Sequence, residues 1–221
     1  ESDRLERESI HRMRIASLLG KCATSQHVWA HPGIDVWAIQ LSEDGTRVIT
    51  CGGGIDGETN RGFARVWDRS TGEPVTPWML HAAAVLWAEF SSDGHRVVTA
   101  SEDGTVRVWS SATGQPQGIT LQHGDSVYRA VFSPDSTLLA TACADGWARV
   151  FETKTLRERF RVKHQNAVYR VVFNRDGSML VTTSRDGTAR VWSTDNGSAL
   201  LDPLMHQDRV IDAVFSPDGR S

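Results

Sequence analysis

The chain has 221 residues, 39% of them hydrophobic and 23% charged, with a formal net charge of −3. This is the composition of a globular protein of one or two domains, with neither the basic field that nucleic acid favours nor a polybasic run for an anionic membrane. No apolar stretch approaches the roughly 20 residues a membrane-spanning helix requires. The opening ESDRLERESIHRMR has the charge pattern of neither a signal nor a transit peptide, and without an initiating Met it suggests a piece of something longer. Leu5, Ile10, Met13, Ala16, Leu18 and Leu19 form a loose helical stripe that stops at Gly20, so residues 1–22 are expected to be a helical linker. Ser25–Ala30 reads as a short strand. Cys22, Cys51 and Cys143 have no metal or disulfide spacing, and are expected to be reduced, mostly buried thiols in a reducing, cytoplasmic setting.

From residue 31 onward the chain repeats itself. HAAAVLWAEFSSDGHRVVTASEDGTVRVW begins at His81, HGDSVYRAVFSPDSTLLATACADGWARVF at His123 and HQNAVYRVVFNRDGSMLVTTSRDGTARVW at His164. An altered copy starts at His31 and a shortened one at His206. A fixed period of about 40 residues marks a stacked or radial array of small sheets. In repeat two the expected strands are Val85–Phe90, Arg96–Thr99, Thr105–Trp109 and Gly118–Gln122. The turns between them carry Asp93-Gly94, Asp103-Gly104 and Thr113-Gly114, and Asp-Gly tolerates the positive φ of tight hairpins. Repeat three puts Ser136 at the first turn glycine, Phe151 at the closing Trp and Lys154-Thr155 for Thr-Gly. Repeat one carries a longer stretch between Thr50 and Trp67, and its GGGIDGETNRG is expected to be an extended loop rather than a strand, with Asp56 the nearest candidate for the repeat's Asp. Repeat five ends after one strand and its turn.

These residues resemble the WD40 family. The likeness rests on the repeat-opening His, on FSPDS from Phe132 and FSPDG from Phe215, and on TASEDGTVRVW and TTSRDGTARVW, and it covers about Ser25–Ser221. The resemblance implies an all-β partial propeller of four-stranded antiparallel blades. Residues 23–221 then hold four complete repeats and the start of a fifth, a fragment of a longer ring that further repeats close. TGEPVTPWMLH also looks like the arrays attached to bacterial Ser/Thr kinases, although the chain holds no kinase motif.

The recurring polar residues invite a catalytic or metal reading. However, radial placement spreads His31, His81, His123, His164 and His206 around a ring, where they cannot converge on one ion. A structural role fits better: His81, Thr99, Asp103 and Trp109 form a buried hydrogen-bonded chain inside one blade. The same is expected of His123, Thr141 and Asp145 (with Phe151 ending the chain) and of His164, Thr182, Asp186 and Trp192. No cofactor or metal is expected.

The resemblance also implies docking on the top face, at positions just after the repeat-opening His. These are Trp37, Leu86, Tyr128, Tyr169 and Ile211, with Arg209, and with Trp147 on the same rim. Trp87, Arg129 and Arg170 are expected to pack between blades. The chain lacks a nucleophile elbow, zinc-binding helix motif or phosphate loop. It is therefore read as a protein-interaction scaffold rather than an enzyme, binding proteins or peptides and neither nucleic acid nor membrane. The likeness to kinase-attached arrays implies the sensory or docking part of a multidomain signalling protein. The alternative is a propeller enzyme or small-ligand sensor using the inserted loop 52–62.

Overall fold

The computed structural model describes residues 34–54 and 61–216. The expected helical linker, the Ser25–Ala30 strand, His31 and Asp56 lie outside those residues. Among the described residues sixteen strands form four four-stranded antiparallel sheets, each a meander in chain order. Blade one holds β1 (Ile34–Leu41), β2 (Arg47–Gly54), β3 (Gly62–Asp68) and β4 (Met79–His81). Blade two holds β5 (Val85–Phe90), β6 (Arg96–Ser101), β7 (Thr105–Ser110) and β8 (Leu121–Gln122). Blade three holds β9 (Val127–Phe132), β10 (Leu138–Cys143), β11 (Trp147–Glu152) and β12 (Glu158–Lys163). Blade four holds β13 (Val168–Phe173), β14 (Met179–Ser184), β15 (Thr188–Ser193) and β16 (Leu204–Met205).

The FSPDG-type turns explain why these hairpins close. Ser91 Oγ donates to Asp93 Oδ1 (2.5 Å) and accepts the Arg96 N–H (3.0 Å), and Ser42 and Ser133 repeat the arrangement. In blade four Asn174 substitutes, its Oδ1 accepting the Met179 N–H at 2.9 Å. Gly94 sits at φ +68, and Ser136 takes the equivalent place in blade three at φ +58. Ser136 offsets that strain by accepting the Ser92 N–H on its hydroxyl and Arg96 on its carbonyl, which ties blade three to blade two.

Packing is between faces of successive blades. The middle strands are apolar on both sides, and all six residues of β10 are buried. One core joins Val98, Ala100 and Val106 of blade two to Phe132, Leu139 and Phe151 of blade three; a second joins blades three and four, a third blades one and two. The first strands β1, β5, β9 and β13 touch in succession, so they are the innermost and line the axis.

Four expectations need correction. Gly52–Gly54 are strand, not loop: β2 pairs with Ile34–Val36 on one side and with Gly62 and Phe63 on the other. Glycine is needed there for close approach rather than for looseness, because a Cβ at Gly52 would lie 1.8 Å from the Asp35 carbonyl oxygen. The fourth strand of blade two is only Leu121–Gln122: Pro116 still bridges Trp109, but the left-handed Gly118 (φ +78) breaks the pairing between that bridge and β8. In repeat three the left-handed turn residue is Leu156 (φ 53), so Thr155-Leu156 takes the place of Thr-Gly; burial in the core between blades two and three compensates Leu156. Val210–Phe215, which matches the inner strands, is not a strand, because a strand needs a ladder partner and none is present among the described residues.

Candidate functional site

In blade two, the His81 ring spans the sheet from rim to core. Its Nδ1 lies 3.0 Å from Asp103 Oδ2 and its Nε2 2.7 Å from Thr99 Oγ1, while the Trp109 indole N–H donates to that same Thr99 oxygen at 2.8 Å. Blade four repeats this: His164 to Asp186 (3.1 Å), His164 to Thr182 (2.7 Å) and Trp192 to Thr182 (2.8 Å). A further hydroxyl completes each set, one that sequence reasoning missed although Thr follows Asp-Gly in both repeats. Thr105 donates to Asp103 Oδ1 at 2.6 Å and sits 3.1 Å from His81 Nδ1, and Thr188 does the same for Asp186 and His164.

The chemistry of these chains is static. Burial lowers the pKa of His81 and His164 despite the pull of their carboxylates. Burial alone would raise Asp103, but bonds from His81, Thr105 and the Ala82 N–H outweigh it and hold the carboxyl well below its usual range. The pair is therefore a neutral imidazole donating from Nδ1 to a carboxylate, with Nε2 left to accept from Thr99. Every polar atom is engaged in holding the rim to the core, and no proton is poised for transfer to a substrate.

Blade three departs from the expected chain. His123 Nε2 reaches Thr141 at 2.9 Å, but Asp145 does not bond His123; it is taken by Arg149 at 2.7 Å. The cause is residue 147, where Trp stands in place of the Thr hydroxyl that links Asp to His in blades two and four. Arg107 and Arg190, which match Arg149, instead reach the carbonyls of Leu80 and Lys163 in the preceding blades. His123 Nδ1 is left buried without a well-formed partner, and burial, with the Arg149 charge, pushes this imidazole down to about 4. In blade one the Trp67 to Thr50 bond survives at 2.9 Å.

The rim residues share one backbone device. Each inner strand carries a β-bulge at the same position, and the residue left out of register is Trp37, Leu86, Tyr128 or Tyr169. A bulge re-aims the side chain that it frees from the ladder. All four are half-buried at the start of their strands, the end where the Asp103, Asp145 and Asp186 turns lie. The Tyr128 and Tyr169 rings meet across two blades, with centroids 5.5 Å apart.

A family model described as "WD domain, G-beta repeat" matches residues 72–110, 114–152 and 156–193, more than half of the chain. The chain belongs to the WD40 repeat family. A search of curated proteins finds no match. The WD40 sheets account for every described strand, and the matched segments begin one turn before each blade's outer strand, so each sequence repeat spans parts of two blades.

The other expected rim residues of this WD40 array are more dispersed. Trp147, at the top of β11, is not beside the tyrosines; its ring lies under Arg161 (4.9 Å) and Lys163 (4.7 Å) of β12. Ile211 is exposed and Arg209 half-buried, on the segment that follows blade four. Below the rim, Arg129 stacks on Trp87 at 3.7 Å, and Arg170 pairs with Asp212. Glu89 was not anticipated. As a residue it is half-buried, but its carboxylate is walled in, accepting the Trp87 indole N–H and the Phe132 N–H of the next inner strand. Burial pushes it up to about 6 against the pull of Arg129. Cys51 and Cys143 are free and buried, with thiols raised by burial. Among the described residues no three His, Cys, Asp or Glu side chains gather as a metal site, and no helix is long and apolar enough to cross a membrane.

Proposed function

We propose that the protein is an interaction scaffold whose partners dock at the top mouth of the axis, on Trp37, Leu86, Tyr128, Tyr169 and Ile211, with Arg209 and Trp147 on the flank. The observation that carries this reading is the bulge repeated in every inner strand, which aims a large side chain out of the ladder at each blade. Aromatic side chains clustered at the centre of a rim, with arginine near, have the composition of a binding hot spot. The polar chains beneath then serve to hold the rim in shape. Partners are proteins or peptides; the net charge of −3 offers little to nucleic acid.

The same reading has further repeats closing the ring, in a cytoplasmic protein where this array is the docking or sensory part of a larger signalling chain. Leu204 is 49% exposed, whereas the residues at its place in the other blades, Met79, Leu121 and Val162, are at most 5% exposed because the next blade covers them. Val214 and Ile211 are also exposed, and the Val210 N–H already bonds the Ser184 carbonyl at 3.0 Å, as an inner strand waiting for its sheet would. The docking reading is tested by Tyr128→Ala/Tyr169→Ala. Proteins retained by the wild-type chain from its native extract should be lost by the double variant at unchanged melting temperature. Full retention refutes the assignment.

A further inference from the structure

Blade three presents an edge that its neighbours lack. Its outermost strand, β12, has six residues, whereas β4 has three and β8 and β16 have two. Proline and glycine make the difference: Pro77, the left-handed Gly118 and Pro203 lie between the isolated bridges at Pro74, Pro116 and Ala199 and the strands β4, β8 and β16, and residues 153–163 contain neither residue type. Among the described residues β12 is the outer edge of its sheet, with no strand paired beyond it. The His164 N–H bonds the Gly146 carbonyl at 2.9 Å, and bonding alternates along an antiparallel ladder, so residues 160, 162 and 164 turn their backbone groups inward to β11. Arg161 and Lys163 therefore turn theirs to the open side, where Arg190 of blade four shares only the Lys163 carbonyl, at 3.4 Å.

The side chains of those two residues also share a face. Both cations lie over Trp147; Arg161 is 54% exposed, with Glu158 a loose partner at 3.6 Å, and Lys163 Nζ also donates to the Asp145 carbonyl at 2.9 Å. In a chain that is acidic as a whole, β12 carries three bases and one acid. Charged edges commonly serve to repel other strands. Here, however, the repulsion applies to basic strands, while an acidic one is attracted and finds outward backbone groups at Arg161 and Lys163, beyond the bulge that leaves Arg159 out of register.

We propose that β12 is a strand-addition site for an extended acidic peptide of a partner protein, which joins blade three as a fifth strand. Alternate residues of the added strand lie about 6.6–7 Å apart on one face, the repeat that separates Arg161 from Lys163. Backbone bonds then supply affinity, and acids at every second position supply register. This edge is separate from the bulge residues at the axis, so either surface can fail without the other.

The test is fluorescence anisotropy with a labelled peptide of alternating Glu and Val. The comparators are a peptide of the same composition with its Glu in one block, and the alternating peptide N-methylated on alternate amides. The alternating peptide should bind at least about tenfold tighter than either comparator, because the N-methylated peptide loses backbone bonds to the edge and the block peptide loses the acid spacing that sets their register. Arg161→Gln should weaken it about two- to fivefold, as expected of an exposed ion pair. Arg161→Pro, which also removes an outward N–H, should weaken it further. Equal binding of the block or N-methylated peptides overturns the proposal, since bare charge would then suffice. The peptide comparison decides the matter even if the proline variant does not fold.

Discussion

Replacing Asp103 with alanine removes one carboxylate that four donors share: His81 Nδ1, the Ala82 N–H, the Thr105 N–H and the Thr105 hydroxyl. The His81 side chain is fully enclosed and Asp103 is 8% exposed, so water cannot replace the lost acceptor at the imidazole. Hydrogen bonds to a charged acceptor contribute about 1.5–3 kcal/mol each, but these share one group and two of their donors lie near solvent, which leaves a cost of about 3 kcal/mol. Asp145→Ala is the matched control. Asp145 makes no bond to its histidine, is more exposed, and its removal frees Arg149 to swing toward the preceding blade as Arg107 does. Asp145 also accepts the Gly124 and Trp147 N–H groups, but no enclosed imidazole depends on it, so its removal should cost less, about 1 kcal/mol. At a sensitivity of roughly 2–4 °C per kcal/mol, Asp103→Ala should lower the melting temperature by about 6–12 °C and Asp145→Ala by about 2–4 °C. Thermal unfolding followed by circular dichroism reads the difference. Equal losses, or a larger loss for Asp145→Ala, would refute the claim that blade three has broken its chain.

The pH dependence follows from His123. Its folded pKa of about 4 lies below the ordinary 6.5, so between those values the unfolded chain binds the extra proton. Its share of stability, on the order of 2–3 kcal/mol, is complete above pH 6.5 and is lost as pH falls toward 4; His81 and His164 shift the same way. His123→Gln should lessen the fall in melting temperature between pH 7 and 4.5, leaving the part that His81 and His164 carry, in a window above the depressed pKa values of Asp103, Asp145 and Asp186. A curve parallel to wild type contradicts this. Trp147→Thr should supply the missing hydroxyl, return Asp145 to His123 Nδ1 and stabilise the fold by about 1 kcal/mol. Nitrogen NMR of the imidazole would report the new bond, and an unchanged His123 signal would count against the explanation.

Most of the architecture was legible because the period, the Asp-Gly turns and the Val-Arg-Val alternation all specify the same meander. The His, Thr, Asp and Trp positions were legible as a chain because their spacing is shared by repeats two and four. Blade three misled because each of its four chain positions looks acceptable when taken alone. What diverts Asp145 is the loss of a hydroxyl two residues away, at Trp147, together with an arginine that has two destinations. The glycine run at 52–54 misled for a different reason: a Gly-rich polar stretch signals a loop, and only the approach of the Asp35 carbonyl shows that the glycines permit pairing. The bulges leave no mark in composition or periodicity, so Leu86, Tyr128 and Tyr169 could be placed on the rim only through the family resemblance. The long edge of β12 was visible in retrospect as the one outer segment without proline.

Two sets of residues divide the work, one that holds the rim and one that is gripped. Measuring partner retention and melting temperature together, for Tyr128→Ala/Tyr169→Ala beside Asp103→Ala at a temperature where both remain folded, tests that separation directly. The tyrosine variant should lose its partner with its melting temperature intact, while Asp103→Ala should melt early and still bind. The reverse pattern, or loss of binding in both, would contradict it.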